Sequence, residues 1–345
     1  MNTEVIKITD INNQKSEILK AASILTNGGL AVIPTETVYG LGGDACSKES
    51  AKKIYAAKGR PSDNPLIIHI FSPDDAEKYA YTNEIYYRLA KAFMPGPLTV
   101  ILKKKDIIPY EVTGGLDTVA IRCPSHPVAR EIIKAAGIPI AAPSANLSGS
   151  PSPTCAEHVI NDLYGRVDMI VDGGECEIGL ESTIVMVNED GGVTMLRPGA
   201  VTYDALCCVC ERVVLSPSME GTLSENEHPL SPGMKYRHYA PDCRVVLLDG
   251  DDKDVLDFLI SEQKKCRCAI LCYDEETELL DASLLFPVGD KTDVAEHARR
   301  LFSSLRRADA EKPDIIYAHL PDRSGLGLAL YNRMIRAASH EVKKI

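Results

Sequence analysis

The sequence contains no tryptophan and only 5 phenylalanines among its 345 residues. Its cores must therefore rest on isoleucine, leucine, valine, alanine and tyrosine. No run of about 18 apolar residues occurs, which argues against a transmembrane helix and against a membrane partner. The opening residues, MNTEVIKITDINNQ, lack the apolar stretch of a secretory signal. A soluble, cytoplasmic protein is expected. Basic charge is also in short supply: 38 Lys and Arg stand against 49 Asp and Glu, for a net charge of -11. A protein that grips a long polyanion by neutralising phosphates usually carries a basic excess. Any basic site here must be local, which favours a small anionic ligand over nucleic acid.

Cysteine is plentiful, but metal-binding and disulfide patterns are missing. The 11 cysteines are odd in number and no secretory signal precedes them, so a disulfide framework is not expected. Cys207, Cys208 and Cys210 cluster, and Cys266 lies close to Cys268, yet neither group has C-x-x-C spacing. Small buried or half-exposed thiols are the simpler reading. Two nucleotide signatures are missing too. PTETVYGLGGDA (34–45) places Thr35, Glu36 and Thr37 at a strand end before a Gly-rich turn. It matches neither the Walker loop nor the G-x-G-x-x-G fingerprint.

The remaining pattern is an alternation of helices and strands. The length suggests two domains, and the 45% hydrophobic content suffices for real cores. KSEILKAASILTNGG reads as an amphipathic helix with apolar Ile18, Ala21, Ala22 and Leu25, closed by Gly28 and Gly29. SKESAKKIYAAKG (47–59) reads as a helix capped by Ser47 and ended by Gly59. Residues 83–96, 126–137 and 154–165 read as further helices. LAVIPT, LIIHIF, LTVILKK, VAIRC, PIAAPS, DMIVDGG and STIVMVN read as strands. This predicts an α/β layered domain with a mixed sheet over 1–213. Residues 214–242 read as a linker: 216–242 holds four prolines and no apolar period, yet includes the ligand-capable run Lys235–Tyr239. From 243 to 345 strands and helices alternate again, as in a smaller parallel, Rossmann-like domain.

Several residue types stand where chemistry would need them. Lys58 and Arg60 sit between a helix end and the next strand, in a backbone constrained by Gly59 and Pro61, with Ser62, Asp63 and Asn64 following. Two cations and several hydrogen bonders on a stiff loop suit a phosphate chain, although a helix C-terminus attracts cations anyway. A buried strand runs into Ser144, Asn146, Ser148, Gly149, Ser150 and Ser152. Strand ends are where α/β proteins place ligands, but a Ser- and Asn-rich turn has the same composition. Arg122 lies among Val119, Ala120 and Ile121, as an outward-facing residue or as a paired, half-buried cation. His69, in LIIHIF, is a core histidine or a ligand contact. Ser182 and Arg197 each place one polar group on a strand edge.

Lys58-Gly59-Arg60 together with Ser144-Ala145-Asn146 resembles the KxR…SxN signature of the YrdC-like family. PTETVYGLG, NPLIIHI, PGPLT, IRCPSHP, ESTIV and LRPG agree with it over about residues 10–210. SPGMKYRHYAP and the α/β segment after it resemble the long, two-domain form of that family, the threonylcarbamoyl-AMP synthases. The resemblance implies a twisted mixed sheet around a positively lined cavity. It implies a reaction that joins L-threonine, bicarbonate and ATP, with Mg²⁺ carried on the phosphates and pyrophosphate released. The product would pass to a complex that transfers the threonylcarbamoyl group to tRNA beside the anticodon, with at most a weak direct tRNA contact. By motif, Lys58 and Arg60 would be catalytic. Lys58, Ser62, Thr118, Ala142 (through its backbone), Ser144, Asn146, Ser152, Arg197 and Tyr236 would hold ATP. Thr35, His69, Arg122 and Ser182 would hold threonine, with Arg122 on the amino acid's carboxylate. Three other readings stay open on these residues: an RNA-binding module, a carbamoyl-transfer enzyme of the hydrogenase-maturation kind, and a regulatory protein that holds a nucleotide without chemistry.

Overall fold

The computed structural model describes residues 2–219, 239–281 and 283–345. Two compact units divide the chain. The first holds residues up to 148, Pro153–Glu177 and 181–219, and the second holds Gly149–Ser152, Ile178–Leu180 and the chain from 239 onward. The division is therefore not a single cut in the sequence. Most of the expected linker, with Tyr236, lies outside the described residues.

The first unit is built on eleven strands: β1 (Glu4–Lys7), β2 (Ala31–Ile33), β3 (Gly40–Asp44), β4 (Ile67–His69), β5 (Leu98–Lys103), β6 (Thr118–Arg122), β7 (Ile140–Ala141), β8 (Met169–Asp172), β9 (Thr183–Val187), β10 (Val193–Arg197) and β11 (Val213–Leu215). Across the sheet they run β1-β8-β2-β3-β7-β4-β6-β5-β9-β10-β11. Parallel and antiparallel neighbours are interleaved, so the expected mixed sheet is the observed one.

Local chemistry explains the helices. In Lys15–Thr26 the buried residues are Ile18, Ala21, Ala22 and Leu25, spaced three and four apart on one face. That face packs on the helix Pro127–Ala136 through Val128, Ala129, Ile132 and Ile133, over Ile33, Met169 and Val171 of the sheet. Each such aliphatic side chain contributes about 1.5–3 kcal/mol when fully buried. The helix Lys48–Lys58 starts where Ser47 accepts from the Ser50 amide and ends where Gly59 takes a left-handed conformation, φ 62. It delivers Lys58 at its last position.

One expectation fails. The Gly-rich run 40–44 is not a turn but strand β3, paired antiparallel with β2 and with β7. Its glycines are there for close approach. A Cβ on Gly42 would lie 2.9 Å from the Ala31 carbonyl oxygen and 3.0 Å from Ile140 Cγ2. The glycines suggest a turn by composition, but here they serve tight packing between strands.

The second unit carries five parallel strands: β12 (Val245–Asp249), β13 (Cys268–Cys272), β14 (Leu285–Pro287), β15 (Ile315–His319) and β16 (Val342–Lys344), ordered β14-β13-β15-β12-β16. Helices Asp252–Glu262, Val294–Ala310 and Gly327–Ala337 supply the crossovers. This is the expected Rossmann-like alternation. No described helix is long and apolar enough to cross a membrane. The described cysteines are free thiols, but Cys207 and Cys208 are exposed rather than buried or half-exposed. Cys207 ends the short helix Tyr203–Cys207 and Cys208 caps it, and that helix buries only Leu206.

Candidate active site

Strand register brings one group of predicted residues together. Arg122, the last residue of β6, stands opposite His69 of β4 on one side and opposite Thr99 of β5 on the other. Directly paired residues share a sheet face, so these three side chains project together. The Thr99 hydroxyl is 2.7 Å from the Ser182 hydroxyl. Arg197 then holds Ser182 from behind: its Nε donates to the Ser182 carbonyl at 3.0 Å and its Nη2 to the hydroxyl at 3.2 Å. Ser182 and Arg197 lie at the ends of interior strands, since β9 runs between β5 and β10, and β10 between β9 and β11. The reading of a strand edge is corrected there: both residues are buried.

Arg122 and Glu36 form an ion pair at 2.7 Å, with side chains 5% and 3% exposed. Glu36 follows Thr35 in the loop after β2. Thr35 itself is tied into that loop, donating to the Val38 carbonyl at 2.6 Å and lying 2.9 Å from the Thr37 hydroxyl. The ion pair is close but poorly aligned. Among the described residues the Glu36 oxygens, Nε and Nη2 of Arg122 and Nδ1 of His69 fall short of well-aligned hydrogen bonds, although the backbone amides of Glu36 and Ser125 lie close enough to act on the carboxylate. Burial pushes the Glu36 carboxyl up, but the Arg122 guanidinium outweighs it, helped by backbone amides, and leaves the group below the usual carboxylate range. Burial, and then Arg122, push His69 down to about 3, so its ring is neutral at physiological pH.

The second group assembles where β7 ends. Lys58 reaches the backbone carbonyls of Ser144 and Asn146, the latter at 2.6 Å, and lies 3.4 Å from the Asn146 side-chain oxygen. Ser144 donates to that same oxygen at 2.6 Å. Arg60 turns toward its own loop, donating to the Asn64 and Pro65 carbonyls at 3.3 and 3.1 Å. Both cations are buried. The amide N–H of Ala142 donates to the Ile67 carbonyl, which stitches β7 to β4.

Other predicted residues lie further off. Thr118 opens β6 while Arg122 ends it, about 13 Å away at the rise of a strand. The register Ile67↔Ala120 carries Thr118 toward the 62–65 turn, where Ser62 is exposed. Ser152 is buried and groups with the second unit. Tyr236 lies outside the described residues. Two residues went unassigned on sequence grounds, Glu36 and Thr99. Glu36 did leave a signal, as a lone carboxylate in a run where residues 30–43 are all buried. Thr99 left none, because a threonine in a strand is ordinary.

Fixed cations, neutral hydroxyls and a neutral histidine at the ends of neighbouring strands define a class: α/β enzymes that hold small charged substrates by position and charge. Comparison with known proteins narrows it. A family model described as telomere recombination matches residues 23–199, and one described as the threonylcarbamoyl-AMP synthase C-terminal domain matches 201–339. Threonylcarbamoyl-AMP synthase of Pyrococcus abyssi is 42% identical over 94% of this chain and 95% of its own length. The Bacillus subtilis protein of the same name is 42% identical over 98% and 97%. The crystal structure of P. abyssi Sua5 complexed with L-threonine superposes with a TM-score of 0.90 at 38% identity, covering 100% of both chains. The chain belongs to the threonylcarbamoyl-AMP synthase family, in its two-domain form. It is an enzyme of that family, which sets aside the readings as an RNA-binding module, as a hydrogenase-maturation relative and as a passive nucleotide holder.

Proposed function

We propose that the first unit joins L-threonine, bicarbonate and ATP into threonylcarbamoyl-AMP, releasing pyrophosphate, in the cytoplasm. The product would serve a complex that modifies tRNA beside the anticodon. The observation that carries the reading is Arg122: a buried guanidinium beside His69 and Thr99, with N–H groups that lack aligned acceptors among the described residues. A desolvated Arg of this kind suits an amino acid's carboxylate, which can accept two parallel hydrogen bonds. The P. abyssi relative crystallised with L-threonine supports the same ligand here.

In this reading Thr35, His69, Arg122 and Ser182 bind threonine. Neutral His69 offers a hydrogen bond without adding charge. Lys58, Ser62, Thr118, Ala142, Ser144, Asn146, Ser152 and Arg197 serve ATP, and Tyr236 contributes from the linker. The threonine amine attacks the carbon of CO₂ or bicarbonate, forming a carbamate. A carbamate oxygen then attacks the α-phosphorus and pyrophosphate leaves. Both partners in that step are anions. Lys58 and Arg60 lower the cost of bringing them together, and position replaces a protein nucleophile. Among the described residues no cluster of three or more His, Cys, Asp or Glu forms a metal cage. Mg²⁺ would then be held chiefly by the substrate's phosphates and water, which needs few protein ligands. Such an ion would offset phosphate charge.

Pyrophosphate release with L-threonine and bicarbonate, with either omitted, and with other amino acids tests the proposal. Release should require both, and should fall at least about tenfold with serine or valine, since one lost group contact is worth roughly 10–200-fold. Release that ignores threonine would remove the reading.

A further inference from the structure

The Glu36–Arg122 pair is a poor structural ion pair. A buried pair offsets its desolvation cost only when the remaining lone pairs and protons are satisfied. Here the 2.7 Å contact and the backbone amides of Glu36 and Ser125 act on the carboxylate, yet both its oxygens and two guanidinium nitrogens fall short of well-aligned hydrogen bonds among the described residues, with side chains only 3% and 5% exposed. Two histidines nearby, His69 and His126, have backbone groups close to their rings, yet Nδ1 of each also falls short of a well-aligned bond among the described residues. Such a concentration of unsatisfied buried polar atoms marks a place shaped for a ligand that supplies the missing partners. An amino acid zwitterion does so, with carboxylate to Arg122 and ammonium to Glu36.

We propose that Glu36 is the proton acceptor for the substrate's amine. This rests on the reading that L-threonine binds at Arg122. Threonine arrives as an ammonium, which has no lone pair for attack on carbon. One N–H bond breaks, its proton passes to a Glu36 oxygen as an O–H bond forms, and the electron pair stays on nitrogen. The free amine then forms the N–C bond to the carbon of CO₂ as one C=O electron pair moves onto oxygen, and a second N–H proton passes to solvent to leave the carbamate. From bicarbonate the C–OH bond breaks instead, and the hydroxide leaves as water with that proton. The proton on Glu36 returns to solvent once product leaves.

The surroundings supply a switch. In the unliganded pair, burial drives the Glu36 carboxyl up and Arg122 overrides it. A substrate carboxylate on Arg122 takes up part of that positive charge. The burial effect then gains, and Glu36 becomes a better base at the moment substrate is in place. The other ionisable groups that act on it are His69 of β4, His126 and Cys123 beside the end of β6, and Cys176 after β8. Both histidines are shifted toward the neutral form and both thiols away from the thiolate, so Arg122 remains the charge that counts.

The test compares wild type, Glu36→Gln, Glu36→Asp and Arg122→Lys in three measurements: folding by thermal melt, L-threonine affinity by calorimetry, and kcat for pyrophosphate release against pH. Glu36→Gln should bind L-threonine within about tenfold of wild type while kcat falls about 10²–10⁴-fold. Its residual rate should climb with pH into the alkaline range, where solution supplies the free amine. Glu36→Asp should fold and bind, keep the wild-type pH profile, and lose at least about tenfold in kcat. It carries the test alone should the Gln variant not fold. Wild-type kcat in Glu36→Gln, or a reduced kcat with an unchanged pH profile in that variant, overturns the proposal, and so does wild-type kcat in Glu36→Asp. Arg122→Lys separates the two claims. If it leaves L-threonine affinity unchanged, the binding reading has failed rather than the assignment of the base.

Discussion

The ammonium of Lys58 donates to the backbone oxygen of Asn146 at 2.6 Å, across 88 residues of chain. The two halves of the KxR…SxN pattern are thus one physical unit. The last residue of a helix clamps the loop that follows β7, and Ser144 closes the unit by donating to the Asn146 side chain. Lys58 is also 2% exposed. A lysine that deep serves the loop's shape whether or not a phosphate is present.

Lys58→Ala should therefore act twice. Leaving the Ser144 and Asn146 carbonyls short of a donor should cost about 1–3 kcal/mol of stability. Loss of the fixed charge should lower kcat for threonine-dependent pyrophosphate release about 10²–10³-fold. Lys58→Met separates the two effects, because it refills the space without the charge. Its urea midpoint should lie above that of Lys58→Ala, with turnover as low. Turnover near wild type in both variants would contradict the assignment.

Two glycines predict different costs. Gly42→Ala places a methyl group 2.9 Å from the Ala31 carbonyl oxygen and 3.0 Å from Ile140 Cγ2, both in neighbouring strands. The sheet must spread, and overpacking of this kind costs about 1–3 kcal/mol. Gly59→Ala meets no atom within 4 Å but inherits φ +62. Its cost is the left-handed conformation alone, about 1–2 kcal/mol. Urea titration of each gives the stabilities. Catalysis should suffer more from Gly59→Ala, because Gly59 lies between Lys58 and Arg60.

Acid should destabilise the fold through His69. Its ring titrates near 6.5 in the unfolded chain and at about 3 in the folded one. Between those values the unfolded state binds more protons, so stability rises with pH and is lost as pH falls from 6.5 toward 3. Lowering the pH from 7 to 5 should remove about 2 kcal/mol on this account, at about 1.4 kcal/mol per unit below 6.5. Glu36, whose carboxyl is lowered in the fold, adds a loss of the same sign at lower pH. Melting curves at pH 7 and pH 5 for wild type and His69→Gln provide the check. The variant should show the smaller change between the two pH values, and an equal change in both proteins would show that His69 is not buried neutral.

Much of the fold was legible because its signals are local. Ser47 and Gly59 bracket their helix by capping chemistry alone. Strands on the outer margins were harder. β1, β11 and β16 are only three or four residues long and largely exposed, so even the apolar Val213-Val214-Leu215 of β11 is too short to mark a strand by pattern alone. Each becomes a strand because a parallel partner presents hydrogen-bonding groups to it. In β3 the glycines that make close pairing feasible are the residues that mimic a turn. In the site, the motif residues Lys58, Ser144 and Asn146 were found and do converge. Glu36 was in view but without a role, because its partner Arg122 is 86 positions away in the chain.

The sequence by itself determined the helices, the apolar strands, the mixed-then-parallel arrangement of two units and the residue types available for chemistry. Those follow from periodicity, capping and backbone restriction, which act within a few residues. Only the tertiary structure decided which of the charged groups became neighbours. Strand register set Arg122 between His69 and Thr99, and burial beside that guanidinium keeps the His69 ring neutral. A pairing of that kind is a property of the assembled sheet, because in the unfolded chain water would separate every member of it.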